Sequence, residues 1–448
     1  MDNKKNTPID RENIQEKYKW DLESMYANNE AWEEDFEKVK VLVKEISKYK
    51  GKTVESSSKL LEVLKLKDDL YRKISNVLVY ARMRLDEDSR KSTYQALTDR
   101  ATNLYVLVNS ETSFIVPEIL SLEEDDLEKY MQEEEGLKLY EHYLEDVLRG
   151  KNHVLSQKEE ALLAEIGEMA STPETVFSML SDADMKFPSI KDESGNNVEI
   201  THGNFIPLME SNDRRVREEA FKAVYNTYEE FKNTFASTLN GCVKKNIFYS
   251  KARNYSSSLE AALDENNIPT SVYDNLINSV HNNLDAMYKY MDIRKRALKL
   301  DNLHMYDIYT PIVKDVDIKV PYDESQTIIK EGLKPLGKAY IEILDEGFNS
   351  RWIDVYENRG KRSGAYSSGT YDSKTFVLLN YHETLDNVFT IAHEMGHSIH
   401  SYYSKTAQPY IYGSYSIFLA EVASTTNEAL LIDHMLKNVK NDNEKLCR

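Results

Sequence analysis

Apolar residues recur three and four positions apart along most of the chain, the spacing that lines one face of an α-helix. Glycine and proline, 15 and 10 among 448 residues, seldom interrupt that rhythm, so the pattern predicts a mainly α protein. Trp32, Phe36, Val39, Val43 and Ile46 make one stripe over 30–49, with Gly51 as its stop. Ser56 to Ser58 can cap the next helix, which carries Leu60, Leu64, Ile74 and Val77 toward Arg84. Further helices are expected over 92–114, over 140–182 as a pair joined through 150–153, and over 211–252, 256–265, 270–300 and 324–345.

Two stretches break the helical rhythm. Residues 185–190 and 198–201 flank Ser194-Gly195-Asn196-Asn197, which reads as a β-hairpin and a domain junction. That junction divides the chain into an N-terminal helical domain, 1–200, and a second domain, 201–448. Residues 348–381 carry Gly360, Gly364, Gly369 and the run Thr375 to Tyr381, and predict two or three short strands. Such strands serve either as plain structure or as an edge on which an extended peptide adds as a further strand.

Directly after those strands comes the stretch with the clearest chemistry, Phe389-Thr-Ile-Ala-His-Glu-Met-Gly-His-Ser-Ile-His400. Side chains four apart share a helix face, so His393 and His397 can present two imidazoles to one metal ion while Glu394 polarises a bound water. A catalytic zinc takes three protein ligands and keeps a position open for water. Glu421 is the expected third ligand, because a carboxylate inside the apolar run 416–431 is costly unless paired or metal-bound. Glu428 lies seven residues on, two turns along the same face, and is expected to hydrogen-bond a ligand imidazole from behind. His382 and His400 are expected to pack or to support the ligands rather than to ligate. Tyr402, Tyr403, Tyr410, Tyr412 and Tyr415 are expected to pack, in a chain with 30 tyrosines.

Composition narrows the partners. The formal net charge of -19 disfavours nucleic acid and anionic membrane. No apolar run approaches the length of a membrane span and the start, Met-Asp-Asn-Lys-Lys, is not a signal peptide, so a cytoplasmic location is expected. Cys242 and Cys447 lack metal-type spacing and read as free thiols. The acidic runs 123–126 and 133–135 lack the alternating ligands of a calcium loop and read as solvated helix faces.

With these residues in view, the chain resembles the oligoendopeptidase F group of the thimet-oligopeptidase family of zinc metallopeptidases. The resemblance runs from Lys19-Trp-Asp-Leu-Glu-Ser-Met-Tyr26 through 204–211 to Gly360-Lys-Arg-Ser-Gly-Ala-Tyr366, the His393 motif and Phe418-Leu-Ala-Glu421. It implies a multi-helix gluzincin fold with a small β-sheet beside the motif helix and a deep channel that admits short peptides. It also implies one zinc per chain on His393, His397 and Glu421, with Glu394 as general base and acid. Members of that family continue past the third ligand into helices whose His and Tyr residues stabilise the oxyanion. Here 27 residues follow Glu421, so the catalytic domain is expected to be C-terminally incomplete.

The expected activity is hydrolysis of internal bonds in short oligopeptides. The alternatives are a zinc- and peptide-binding fragment without turnover, and an exopeptidase, which would need a group to capture a peptide terminus. Oligomeric state and cleavage preference are not written in the sequence.

Overall fold

The computed structural model describes residues 10–202, 204–312, 319–362 and 364–438. It is mainly helical, and the described residues fall into two compact units, one built from those within 10–151 and 319–438, the other from those within 152–312. The partition crosses the chain twice, whereas the division expected from the hairpin is a single cut at residue 200. The reason lies in one strand that packs on two cores, one from the first part of the chain and one from the last.

In the first unit, α1 (Asn29–Ile46) buries the stripe Trp32, Phe36, Val39, Val43 and Ile46, and its first turn is capped by Asn28, whose side-chain oxygen accepts the Ala31 N–H at 2.9 Å. Ser56 caps α2 (Ser57–Glu87) in the same way, and α3 (Ser92–Thr112) packs against it. Strands β3 (Ile353–Asp354), β4 (Tyr366–Gly369) and β5 (Thr375–Leu378) form a sheet in the order β3-β5-β4, with β3 parallel and β4 antiparallel to the central β5. Every residue of β5 is buried. Successive strand side chains point to opposite faces. Phe376 and Leu378 accordingly join the core of the N-terminal helices, while Val377 and Leu379 join a second core built from the helices within 322–349 and 385–437.

A buried charge cluster fixes β3. The Lys361 ammonium, fully enclosed, pairs with the Asp354 carboxylate at 2.7 Å, and Arg11 reaches the same carboxylate from the start of the chain. Burial alone would raise the Asp354 carboxyl; Lys361 and Arg11 hold it below its ordinary value. Lys361 in turn is pushed down by burial, which Asp354 offsets in part.

The second unit contains the expected hairpin, β1 (Ser189–Lys191) paired antiparallel with β2 (Asn197–Glu199), with Gly195 at φ 83° in its turn. Several helices expected as single rods are interrupted. The 140–182 pair is broken again at Ser171, where Pro173 opens a new helix; the helices expected over 211–252 are two, Arg214–Glu230 and Lys232–Ala252. Residues 270–300 divide at Asn283. In the first unit, 324–345 divides into Tyr322–Gly332 and Lys338–Asn349, because Pro335 cannot donate a helical hydrogen bond and Gly337 turns the chain at φ 92°. Cys447 lies outside the described residues, and Cys242 is a half-buried free thiol.

Candidate metal centre

The motif lies on one helix, Leu385–Ala407, called here the motif helix, whose start is capped by Thr384 accepting the Asn387 N–H. Pro409 and a short turn at Tyr410–Tyr412 reverse the chain into a second helix, Ile417–Lys437, the carboxylate helix. The two cross closely at Gly396. A Cβ there would lie 2.7 Å from the Ser424 Cα and 3.1 Å from the Ala423 carbonyl oxygen. Beside the crossing, fully buried Asn427 donates to the Ala392 carbonyl at 2.9 Å and accepts from the Tyr340 hydroxyl at 2.9 Å. This clamp sets the register of one helix on the other.

The result brings His393, His397 and Glu421 together. The two Nε2 atoms are 3.1 Å apart, and Glu421 carboxylate oxygens lie 3.6 Å from His393 Nε2 and 3.9 Å from His397 Nε2. Among the described residues they form the one group of three or more His, Cys, Asp or Glu side chains positioned to hold a metal ion. Glu428 sits 2.5 Å from His393 Nδ1, so the far nitrogen is occupied and the Nε2 lone pair faces the other ligands. Two imidazole nitrogens and one carboxylate suit zinc, a borderline ion that takes nitrogen and oxygen donors.

Glu394 is buried beside this set. Burial pushes its carboxyl up, while His393 and the Ser367 N–H act the other way. Burial and neighbouring His393 push the His397 imidazole down, favouring the neutral form that can bind metal. Ser367 also shares a hydrogen bond with Ser398 on the motif helix, 2.9 Å between hydroxyls, which ties β4 to the site.

The other sequence candidates are elsewhere. His382 is exposed and faces Glu357 at 3.2 Å. His400 stacks on Tyr415 at 3.7 Å between ring centres and does not reach the ligands. Tyr402 stacks on Trp352 and Tyr410 meets Tyr371 edge to face; Tyr403 is exposed; Tyr412 accepts the Tyr143 N–H. Tyr415 differs, since its hydroxyl meets Ser401 at 2.6 Å and donates to the His397 carbonyl at 3.3 Å. Ser367, Gly396 and Asn427 escaped the sequence reading. A glycine inside the metal motif and an asparagine inside an apolar run were the available signals.

Comparison with known proteins adds an independent line. Residues 207–447 match the family model described as peptidase family M3, and residues 118–187 match one described as oligopeptidase F. The chain is 49% identical over 443 residues to oligopeptidase PepF of Bacillus subtilis, covering 99% of this chain and 66% of that protein. A solved peptidase from Chlamydophila abortus superposes with a TM-score of 0.79 at 37% identity, covering 98% of this chain and 74% of the other. Oligoendopeptidase F from Enterococcus faecium does so with a TM-score of 0.69 at 37% identity, covering 93% and 69%. The chain thus spans about two thirds to three quarters of these relatives. A match over more than half of its residues, together with the same helical frame around the motif, means that it belongs to peptidase family M3, in the oligoendopeptidase F group.

Proposed function

We propose that this protein is a zinc-dependent endopeptidase acting on internal bonds of short oligopeptides in the cytoplasm. The observation that carries the proposal is the convergence of His393, His397 and Glu421 from two crossing helices, with buried Glu394 next to them and the free edge of β4 alongside. The helices within residues 10–151 back the sheet, and residues 319–438 of the same unit carry the candidate chemistry.

His393, His397 and Glu421 would hold one zinc ion, which when bound supplies Lewis acidity to a water and to the substrate carbonyl. Glu394 takes the proton of the attacking water and delivers it to the leaving amine. Its raised affinity for the proton suits that shuttle. Glu428 orients the His393 ring. β4 offers a place for the peptide main chain: Val377 N–H pairs with the Trp352 carbonyl of the β3 side, so its β4 partner Ser367, and likewise Gly369, turn their backbone groups away from β5. An extended peptide can pair with that edge.

The test is cleavage of an internally quenched peptide blocked at both ends, with and without chelator. Expected are chelator-sensitive internal cleavage and a loss of about 10²- to 10⁴-fold in Glu394→Gln, with zinc still bound. Cleavage confined to unblocked ends would replace the reading with an exopeptidase. A second reading is zinc and peptide binding without turnover. It predicts stoichiometric zinc and peptide affinity with no products.

A further inference from the structure

A cleft of about 790 Å³ opens in the first unit between α2, the free edge of β4 and the far end of the motif helix. Its walls carry Ser367 to Thr370 from the strand, Lys67, Asp68 and Arg72 from α2, and Ser401 and Lys405 from the motif helix. Ser401 and Lys405 follow His397 by one and two helical turns, about 6 and 12 Å along the axis. An extended peptide advances about 3.3 Å per residue, so a chain paired with β4 would bring a side chain into this cleft two to four residues from the metal centre.

The charges in the cleft do not cancel. Arg72 is neutralised by Asp372, which accepts from its guanidinium at 3.2 Å, and the arginine is further engaged by the ring of Tyr371. Asp68 accepts from the Tyr140 hydroxyl at 2.8 Å, which occupies one face of its carboxylate, and it is the one carboxylate on the cleft wall against Lys67, Arg72 and Lys405. Lys405 donates to the carbonyls of Thr370 and Ser373, at 2.8 and 3.0 Å, and faces no carboxylate at ion-pair distance among the described residues. An ammonium has three donors, so one is left. Burial lowers this lysine to about 8, which leaves it charged at neutral pH. Lys67 donates to the Tyr143 hydroxyl at 2.8 Å and likewise keeps spare donors. Two cations with unused hydrogen-bond capacity therefore face the cleft on a chain whose overall charge is -19.

We propose that this cleft is a subsite for an acidic side chain of the bound peptide, two to four residues from the bond being cut, and that Lys405 and Lys67 select it. The assignment rests on the peptidase reading above and adds to it a class of substrate.

Binding separates the two. Zinc-loaded Glu394→Gln protein is titrated by fluorescence anisotropy with peptides blocked at both ends, identical except for one Asp, Asn or Lys moved through successive positions. At one position Asp should bind about 10-fold more tightly than Asn, and Lys no better than Asn. The Asp-to-Asn ratio should fall to near one when Lys405→Gln and Lys67→Gln are combined in that background. Each protein is its own reference, so a general loss of affinity does not imitate the result. Lys67→Gln alone, which removes a donor to a tyrosine hydroxyl from the surface of a long helix, should reduce the ratio in part and serves if Lys405→Gln does not fold. An Asp-to-Asn ratio near one at every position, tighter binding of the Lys peptide, or a ratio unchanged in the double variant overturns the subsite. Cleavage of the same peptides by the wild-type chain reads the peptidase proposal independently. Absence of cleavage together with an Asp preference that the lysine variants abolish would sink the enzyme and leave the acid-selective site standing.

Discussion

Gly396→Ala tests the claim that one close helix crossing assembles the metal centre. The new Cβ would lie 2.7 Å from the Ser424 Cα, where carbon atoms in contact sit about 3.5 to 4.0 Å apart. Both neighbours are backbone, and the Asn427 amide closes the third side at 3.1 Å, so the carboxylate helix must retreat by about 1 Å. Glu421 lies three residues before Ser424 and moves with it. Metal–ligand distances tolerate about 0.2 Å, so a 1 Å retreat takes the carboxylate out of range of an ion held by His393 and His397. Zinc affinity, measured by competition with a chromogenic chelator, should weaken at least 10-fold, about 1.4 kcal/mol. Overpacking should also cost about 1 to 3 kcal/mol, against about 1 kcal/mol gained in helix propensity. Gly167→Ala is the control, because a Cβ there meets nothing within 4 Å, and it should leave zinc affinity unchanged. If Gly396→Ala binds zinc within twofold of wild type, the crossing does not set the ligand geometry.

Other perturbations separate ligand support from fold stability. Glu428→Gln removes the carboxylate at 2.5 Å from His393 Nδ1 and should weaken zinc binding about 10- to 100-fold in the same titration while helical circular dichroism is retained. Asp354→Asn leaves the enclosed Lys361 ammonium without its partner and should cost about 3 to 5 kcal/mol in urea unfolding of the first unit. The pH dependence has a fixed sign. The Asp354 carboxyl is held below its ordinary 3.8, so its contribution is present above that pH and lost as pH falls through the lower folded value. The wild-type advantage over Asp354→Asn should therefore close in strong acid, and a gap that widens there would contradict the assignment.

What could be read from sequence follows the range of the interactions involved. Helix stripes such as Trp32 to Ile46 depend on neighbours three and four residues away, and they were legible. So were the hairpin at Ser194 to Asn197 and the pairing of His393 with His397, which a helix delivers without help from the rest of the chain. The interruption at Asn283 was not legible, since no proline or glycine marks it and the apolar rhythm continues across. The 200/201 division likewise relied on a local change of pattern, whereas the compact units follow long-range pairing.

By itself, then, the sequence determined the helical class, the strand cluster before residue 381 and the members of a two-histidine, one-carboxylate candidate site, because periodicity and a misplaced charge are local facts. Only the tertiary structure decided that β5 faces two cores at once, that Gly396 and Asn427 lock two helices into register, and that Lys67 and Lys405, 338 positions apart, share one cleft. Contacts between residues so distant depend on how whole elements pack, and no short-range pattern along the chain encodes them.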